Sequence, residues 1–399
     1  MKQIYLILLF LLSLMVFGCS PSEPESEGVA QDSAPTTQES DSFEAQVAEY
    51  IQKFPYQDTF NYAMRYTDGD PAKLNAWVMG SEPALVKAGE DVVVRQNNDT
   101  YYTGAFLELE NGPVVLGSSA PIEDRFSSFQ LMDDRNANYR NVIRPQGEYT
   151  LYFGEQPEQI RGEAIEVPSS FSVVIVRVEV KDKDDPEDVA AAKAVFNGIT
   201  ITGEQPSEFP SLDLLSGYPD DVTAEANRRM DEAITTVSFT DTIVGPGQEP
   251  GRHVPFLSHA GGTKFGWGGP HPSHSAYEGI FFDKNGDELM GSNGTYTVTT
   301  EEPPVDAFWS ITIYDTGRGG FLHPNDDDRY HINNTAAVRN DNGTVTFMFQ
   351  QNCEFSDLNC LEVPAGRFDV TSRYYLPHEE IITGAWTLPK IELQTDKSE

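Results

Sequence analysis

The chain has 399 residues, of which 63 are acidic and 27 are lysine or arginine, so its formal net charge at pH 7 is −36. A surface this negative repels nucleic acid and anionic lipid headgroups, and we therefore expect no nucleic-acid partner. After the N-terminal segments described next, about 355 residues remain. That length predicts two domains with sizeable cores.

The first residues have the features of a secretory signal. Lys2 precedes an apolar run from Ile4 to Phe17, which a glycine and Cys19 follow. The sequence Val-Phe-Gly-Cys resembles the lipobox of bacterial lipoproteins, in which the cysteine is acylated after cleavage. Ser20, in place of aspartate, resembles the pattern sorted to the outer membrane. We expect residues 1–18 to be a lipoprotein signal peptide; the alternative is an ordinary signal peptide with an incidental cysteine.

This interpretation predicts a lipid anchor on Cys19 and a cell-envelope location at the outer membrane, facing either the periplasm or the outside. Residues 19–42 are rich in Ser, Pro, Glu, Thr and Gln and contain almost nothing apolar. Such a segment cannot bury enough surface to offset its chain entropy. We expect it to be a disordered tether.

The first part of the folded region is predicted to be helical and then β-rich. Apolar residues at helical spacing predict a helix that begins near Phe43 and stops at Pro55, followed by a second helix over Asp58–Arg65. Alternating residues then predict five strands: Asp91–Gln96, Tyr101–Glu108, Pro113–Gly117, Glu148–Phe153 and Phe171–Val180. The last strand has Arg177 and Glu179 on one face, and we expect that end to be exposed to water.

Two helices and a loop are predicted between this region and the C-terminal part. Asp185-Pro186 is typical of a helix start, and Asn197-Gly198 of a helix end. A second, amphipathic helix is expected to open at Pro219-Asp220-Asp221. The Gly- and Pro-rich segment 245–272 has little periodicity and predicts a long loop.

The C-terminal part contains the clearest strand pattern of the chain. Between Ala307 and Tyr314, apolar and polar residues alternate with a period of two, and turn residues follow. Two more alternating runs, Thr344–Phe349 and Gly366–Tyr375, predict that further antiparallel strands continue this sheet.

Several segments of the chain resemble known bacterial domains. PPVDAFWSITIYD, the upstream AYEGIFFDKNGDELMGSNGTYTV and the downstream RFDVTSRYYLP resemble the domain of unknown function number twelve-fourteen. NNDTYYTGAFLELENGPVVL, at residues 97–116, resembles its usual N-terminal partner, number twelve-fifty-four. The resemblance implies a mainly β fold with accessory helices, and no established reaction. We expect two β-sandwich or jelly-roll-like domains at residues 43–205 and 246–395, with a helical connector at 206–245.

The first candidate site follows from the resemblance to an Asn-x-Asp-Thr motif in the first domain. Asn98, Asp99, Thr100 and Tyr102 would line a pocket and provide an acceptor, a donor and a stacking surface. The alternative is structural, because Asn and Asp side chains also bond to their own backbone and build turns between strands.

The second candidate site lies where the chain resembles the other domain at a Phe-Trp-Ser strand, at an Asn followed by Arg-Tyr, and at an Arg-x-Tyr strand. The candidate residues are Trp309, Tyr314, Asn325, Arg329, Arg373 and Tyr374. Aromatic rings beside an arginine are suited to a polar ligand, carboxylated or sugar-like. The alternative is a packed sandwich core with Arg–Asp pairs.

Cys353 and Cys360 are the only cysteines in the expected folded region. In an exported chain they predict a local disulfide, with two free thiols or a metal site as alternatives. An isolated cysteine pair is a poor metal site, and His271 and His274 lie in a Gly- and Pro-rich segment that does not favour a helix. We expect no metal and no cofactor.

The leading functional hypothesis is a binding or accessory protein that holds a small polar or sugar-like ligand in a pocket between the domains. One alternative is an envelope hydrolase that uses Asp99 with residues of the second domain. Another is a structural homo-oligomer whose aromatic residues form subunit contacts. The sequence leaves open whether the protein is an enzyme, since it lacks the usual nucleophile, phosphate-binding and zinc motifs.

Overall fold

A computed structural model describes residues 37–80, 82–90, 94–119, 124–354 and 359–394, and the side chains from Ser42 onward. The predicted signal peptide, lipidated Cys19 and most of the predicted tether lie outside the described residues. The described residues from Phe43 onward form one compact unit. None of the helices in the described part of the chain has the length and apolar character needed to cross a membrane.

The N-terminal half of the larger unit contains two four-stranded sheets. Its strands are β1 (Thr100–Glu108), β2 (Val114–Ser118), β3 (Ser127–Asp133), β4 (Asn138–Ile143), β5 (Gly147–Tyr152), β6 (Glu163–Glu166), β7 (Phe171–Glu179) and β8 (Ile199–Thr202). One sheet has the order β1-β7-β3-β4 and the other has the order β6-β5-β2-β8. Alternate residues of both sheets, such as Leu107, Leu116 and Val176, form one core between them.

The C-terminal half repeats this arrangement with two further sheets. Its strands are β9 (Ser275–Ile280), β10 (Tyr296–Thr300), β11 (Trp309–Asp315), β12 (Phe321–Leu322), β13 (His331–Asn333), β14 (Val345–Gln350), β15 (Cys360–Glu362), β16 (Phe368–Tyr375) and β17 (Glu392–Leu393). The orders are β15-β14-β10-β17 and β12-β11-β16-β9, with β13 also paired to β11. The predicted mainly β fold is therefore confirmed.

Five α-helices accompany these sheets in the part of the chain that the structure describes. They are α1 (Thr37–Thr67), α2 (Pro186–Asn197), α3 (Asp220–Thr236), α4 (Phe256–Phe265) and α5 (Glu379–Ile382). The Asp185 carboxylate caps α2 by accepting a hydrogen bond from the Glu187 amide, and Gly198 ends the helix, as predicted. The predicted stripe on α3 is buried at Val222, Ala226 and Met230.

The predicted helix break at Pro55 is wrong, because α1 runs through this proline without interruption. A proline inside a helix removes one backbone hydrogen bond. Before Pro55, Val47 and Ile51 are buried in a cluster that α1 shares with α3 and α4, and after it Ala63 is buried against β1 and β7. Packing on both sides therefore outweighs the lost bond.

The predicted loop over residues 245–272 is also wrong in its middle, where α4 forms. Gly261 and Gly262 lie inside this helix, and a Cβ atom on Gly261 would lie 2.7 Å from the Met230 carbonyl oxygen of α3. The glycines that obscure the helical pattern thus permit the two helices to approach closely. The strand predicted over Asp91–Gln96 is absent from its described residues, 94–96.

Cys353 and Cys360 are joined by a disulfide, as predicted. Cys360 lies on β15, which pairs in parallel with β14, the strand that ends just before Cys353. The bond therefore closes the connection between two neighbouring strands at the edge of a C-terminal sheet.

The prediction that the end of β7 is exposed to water is wrong. Arg177 is 3% exposed and Glu179 is 4% exposed. The C-terminal half covers this face, and Phe126, next to β3, packs there against Phe308 and Tyr375. Polar residues of the two halves therefore meet in a buried contact.

Candidate functional site

Two rows of polar side chains lie at the contact between the N-terminal and C-terminal sheets. Across β1, β7 and β3, the strand register aligns Tyr102, Arg177 and Ser128. Across β9, β16 and β11, it aligns Tyr277, Arg373 and Ser310. We call these six residues the polar seam. Both arginines and both serines are buried, and the two tyrosines are half-buried.

Asp99 joins the two halves at one end of the seam. Its carboxylate is fully buried and accepts hydrogen bonds from the Tyr375 hydroxyl, at 2.9 Å, and from the Ser310 hydroxyl. The Asp99 amide bonds to the Asn97 side chain at 2.9 Å, which is the predicted turn. This bond supports the structural interpretation of the motif, and its role in binding stays a prediction.

Arg373 is held by groups from both halves of the chain. Its guanidinium donates to the Thr312 hydroxyl at 2.9 Å, to the Tyr314 hydroxyl at 2.7 Å and to the Arg95 backbone carbonyl at 2.9 Å. Burial raises the pKa of Tyr314 to about 12, against the opposing effect of the Arg373 charge. Tyr314 therefore stays protonated and donates to the Gln96 carbonyl at 2.7 Å.

Arg177 lies among tyrosine and glutamine side chains. Its guanidinium donates to the Tyr102 hydroxyl at 3.1 Å and to the Gln130 side chain. The groups that act electrostatically on it are Tyr102, Tyr277 and Tyr375. Among the described residues, neither Arg177 nor Arg373 forms a direct ion pair. A buried charge without a direct ion pair is costly, and such positions are candidates for functional sites.

Several buried polar atoms at this contact have no hydrogen-bond partner among the described residues. They are the Tyr277 hydroxyl, the Ser128 hydroxyl, Nε of Arg373 and Nε2 of His274. Burial raises the pKa of Tyr277, although Arg177 and Arg373 act against it, so the phenol remains a donor. Burial and the Arg177 charge hold the pKa of His274 well below its usual value, so the imidazole is neutral. These atoms offer donors and one neutral imidazole to a ligand.

The structure brings together part of the predicted site. Asn98, Asp99, Tyr102, Tyr314 and Arg373 all lie at the contact between the halves. The side-chain oxygen of Asn98 lies 3.1 Å from Nδ1 of His331, a residue of β13. The Thr100 hydroxyl is buried and has no partner among the described residues.

Four predicted residues lie elsewhere. Trp309 and Tyr374 are on the opposite face of the C-terminal sheet, in the core between the two C-terminal sheets. Asn325 and Arg329 lie on the loop before β13 and line a separate surface pocket, together with the Cys353–Cys360 disulfide. Asp99 and Arg373 thus both lie at the contact between the halves, whereas Trp309 faces away from it.

Six residues at this contact were not predicted from the sequence. They are Ser128, Arg177, His274, Tyr277, Ser310 and Tyr375. Arg177 gave a signal, since an arginine between Val176 and Val178 stands out in an apolar strand. The others are ordinary strand residues whose role depends on the facing sheet. Among the described residues, no group of three or more His, Cys, Asp or Glu side chains is arranged to hold a metal ion.

Comparison with family models identifies both halves of this contact. The model for the protein of unknown function DUF1254 (domain number twelve-fifty-four) matches residues 78–203. The model for the protein of unknown function DUF1214 matches residues 274–379. The chain has a DUF1254 domain followed by a DUF1214 domain. The polar seam therefore joins β1, β7 and β3 of the first domain to β9, β16 and β11 of the second.

A solved structure shares this fold. The VPA0106 protein from Vibrio parahaemolyticus superposes with a TM-score of 0.72 at 18% identity, over 88% of this chain and 100% of that chain. A putative uncharacterized protein from Burkholderia cenocepacia gives a TM-score of 0.45 at 11% identity, over 91% of each chain. No curated protein shows significant sequence similarity. The similarity to the Vibrio protein establishes the fold and no activity.

Proposed function

We propose that this protein binds a small polar ligand with a negatively charged group, such as a sugar acid, at the polar seam between its DUF1254 and DUF1214 domains. The observation that carries the proposal is the pair of buried arginines, Arg177 and Arg373, that lack a direct ion-pair partner among the described residues. A carboxylate or sulfate group would supply the missing acceptors, because its oxygens match the planar donor pattern of a guanidinium.

The unpaired groups around the arginines support a ligand that also carries hydroxyl groups. The hydroxyls of Tyr277 and Ser128 and Nε2 of His274 are buried without partners among the described residues. Each would gain a hydrogen bond from a polyhydroxylated ligand, and an unpaired buried polar group otherwise destabilises the fold. Both Asp99 oxygens already accept bonds from protein hydroxyls. This arrangement favours binding over the alternative of Asp99-dependent hydrolysis.

Entry of a ligand requires a change at the contact. Arg177 and Arg373 are only 3% and 1% exposed, so the two sheets must separate locally before an anion reaches them. A binding-competent state of low population reduces the apparent affinity and slows association. We therefore expect association slower than the usual rate for a preformed pocket.

A thermal-shift screen tests the proposal. Sugar acids, small dicarboxylates and sulfate are compared with neutral sugars on the wild type, on Arg177→Gln and on Arg125→Gln. Arg125 is a matched control, because it is also a buried arginine but is paired with Asp188. A ligand at 100 times its Kd stabilises by about 2.7 kcal/mol, so we expect anions to raise the Tm of the wild type and of Arg125→Gln by several degrees.

The Arg177→Gln variant should lose this shift while neutral sugars have little effect on any of the three proteins. Absence of an anion-specific shift in the wild type would contradict the proposal. So would an equal shift in Arg177→Gln, because the seam would then not be the binding site.

We also propose that the protein acts in the cell envelope as a lipid-anchored protein. The support is the lipobox-like sequence that ends at Cys19, together with the tether-like composition of residues 19–42. A Cys19→Ala chain expressed in a bacterial host should leave the detergent-soluble membrane fraction, in which the unaltered chain should be found. Equal fractionation of both chains would argue against the anchor.

A further inference from the structure

Two buried carboxylates lie side by side at one end of the polar seam. Glu179, at the end of β7, pairs in register with Thr100, the first residue of β1. The Val180 amide donates to the Asp99 carbonyl at 3.0 Å, which fixes the two acidic residues on neighbouring strands. Glu179 is 4% exposed and Asp99 is fully buried. Glu179 is two residues from Arg177, so both side chains lie on the strand face that meets the DUF1214 domain.

The basic groups near Glu179 are engaged elsewhere. Arg125 bonds to the backbone carbonyl of Glu179 at 2.7 Å and pairs with Asp188 of α2, while Lys181 pairs with Asp124 at 2.8 Å.

The Glu179 carboxylate itself accepts a hydrogen bond from the Phe126 amide at 2.8 Å. From the DUF1214 domain, the Ser310 and Tyr375 hydroxyls donate to Asp99, and the Asn333 side chain donates to the Lys181 carbonyl at 2.9 Å. Burial, with a smaller contribution from the Asp99 charge, raises the pKa of Glu179 to about 7.

An anion bound at the arginines would change the electrostatic environment of Glu179. Without a ligand, Asp99 is the carboxylate that acts on both Arg373 and Glu179. With an anion at the arginines, ionised Glu179 would be a third negative charge in a region of low dielectric constant, where like charges repel strongly. Protonation of Glu179 removes this excess.

We infer that binding of the anionic ligand at the polar seam is coupled to the uptake of one proton by Glu179. The inference rests on the proposed function and adds its regulation by pH. Well below its pKa of about 7, Glu179 already carries the proton, so affinity should be nearly independent of pH. Well above that pKa the proton must be taken from solvent, so affinity should fall by up to about tenfold per pH unit.

Calorimetric titration tests the coupling directly. D-glucuronate and sulfate are suitable probes because both remain fully ionised between pH 6 and pH 9. Each is titrated into the full folded chain in two cationic buffers that differ in ionisation enthalpy, at pH 6 and at pH 8. The dependence of the measured heat on the buffer gives the number of protons taken up. We expect close to one proton at pH 8 and close to none at pH 6.

Glu179→Gln is the decisive variant, because glutamine retains the acceptor for the Phe126 amide but cannot ionise. It should bind both probes without proton uptake and with the same affinity at both pH values. Glu163→Gln is the control, since Glu163 is a 49% exposed acid on β6 and should behave as the wild type.

If neither probe binds the wild type at either pH, the proposed function fails. Binding without proton uptake, or uptake that persists in Glu179→Gln, would overturn the coupling alone.

Discussion

Replacement of Asp99 by alanine is expected to lower the free energy of unfolding by about 3–5 kcal/mol, the range found when one partner of a buried charged network is removed. Asp99 is fully buried and accepts hydrogen bonds from Ser310 and Tyr375. Alanine would leave both hydroxyls without this acceptor, and Arg373 would lose the electrostatic attraction of the Asp99 carboxylate. The loss should appear as a lower midpoint in urea unfolding followed by circular dichroism.

Asp124→Ala provides the matched control for this change. Asp124 also belongs to the DUF1254 domain and forms an ion pair with Lys181, but its side chain is 74% exposed. Exposed pairs contribute little to stability, so this variant should lose less than about 1 kcal/mol. Equal stability losses in the two variants would show that Asp99 does not hold the domains together in the way that its contacts indicate.

Replacement of Arg373 by methionine should destabilise the protein by at least about 3 kcal/mol, because each hydrogen bond from a charged donor contributes about 1.5–3 kcal/mol. Methionine fills part of the same volume but removes the bonds to Thr312, Tyr314 and the Arg95 carbonyl. Since the Arg95 carbonyl belongs to the other half of the chain, the contact between the domains should weaken together with the sheet.

Arg367→Met is the control for Arg373. Arg367 lies just before β16, with a 52% exposed side chain paired to Glu288. Its replacement should change the free energy of unfolding by less than about 1 kcal/mol. If urea unfolding ranks Arg367→Met as the less stable of the two, the network around Arg373 is not the stabilising element that its geometry implies.

The sequence predicts the strands of this protein better than it predicts which residues share a site. The period of two correctly predicted β11 and β16. The same period also places Arg373 and Tyr374 on opposite faces, because neighbouring residues of a strand point in opposite directions. Grouping both in one site on the strength of a family resemblance was therefore wrong. Trp309 and Tyr374 pack in the core, and Arg373 faces the other domain.

The remaining errors concern contacts between distant parts of the chain. Arg177 was expected to be exposed because nothing local indicates that another sheet covers the end of β7. The glycines of α4 and Pro55 of α1 likewise weaken a helix locally, and only packing against other elements restores it. Non-local packing of this kind leaves no periodic signal in the sequence. It decides both where the helices run and where the polar seam forms.

The polar seam restricts how this protein can be rebuilt by genetic recombination. A gene fusion that joined its DUF1214 domain to an unrelated neighbour would leave the Arg373 guanidinium without the Arg95 carbonyl that it bonds at 2.9 Å, and would leave Tyr375 without Asp99. The halves are therefore poor interchangeable modules. Viable hybrids should be confined to those that transfer both domains together, or that carry over every residue of the shared network.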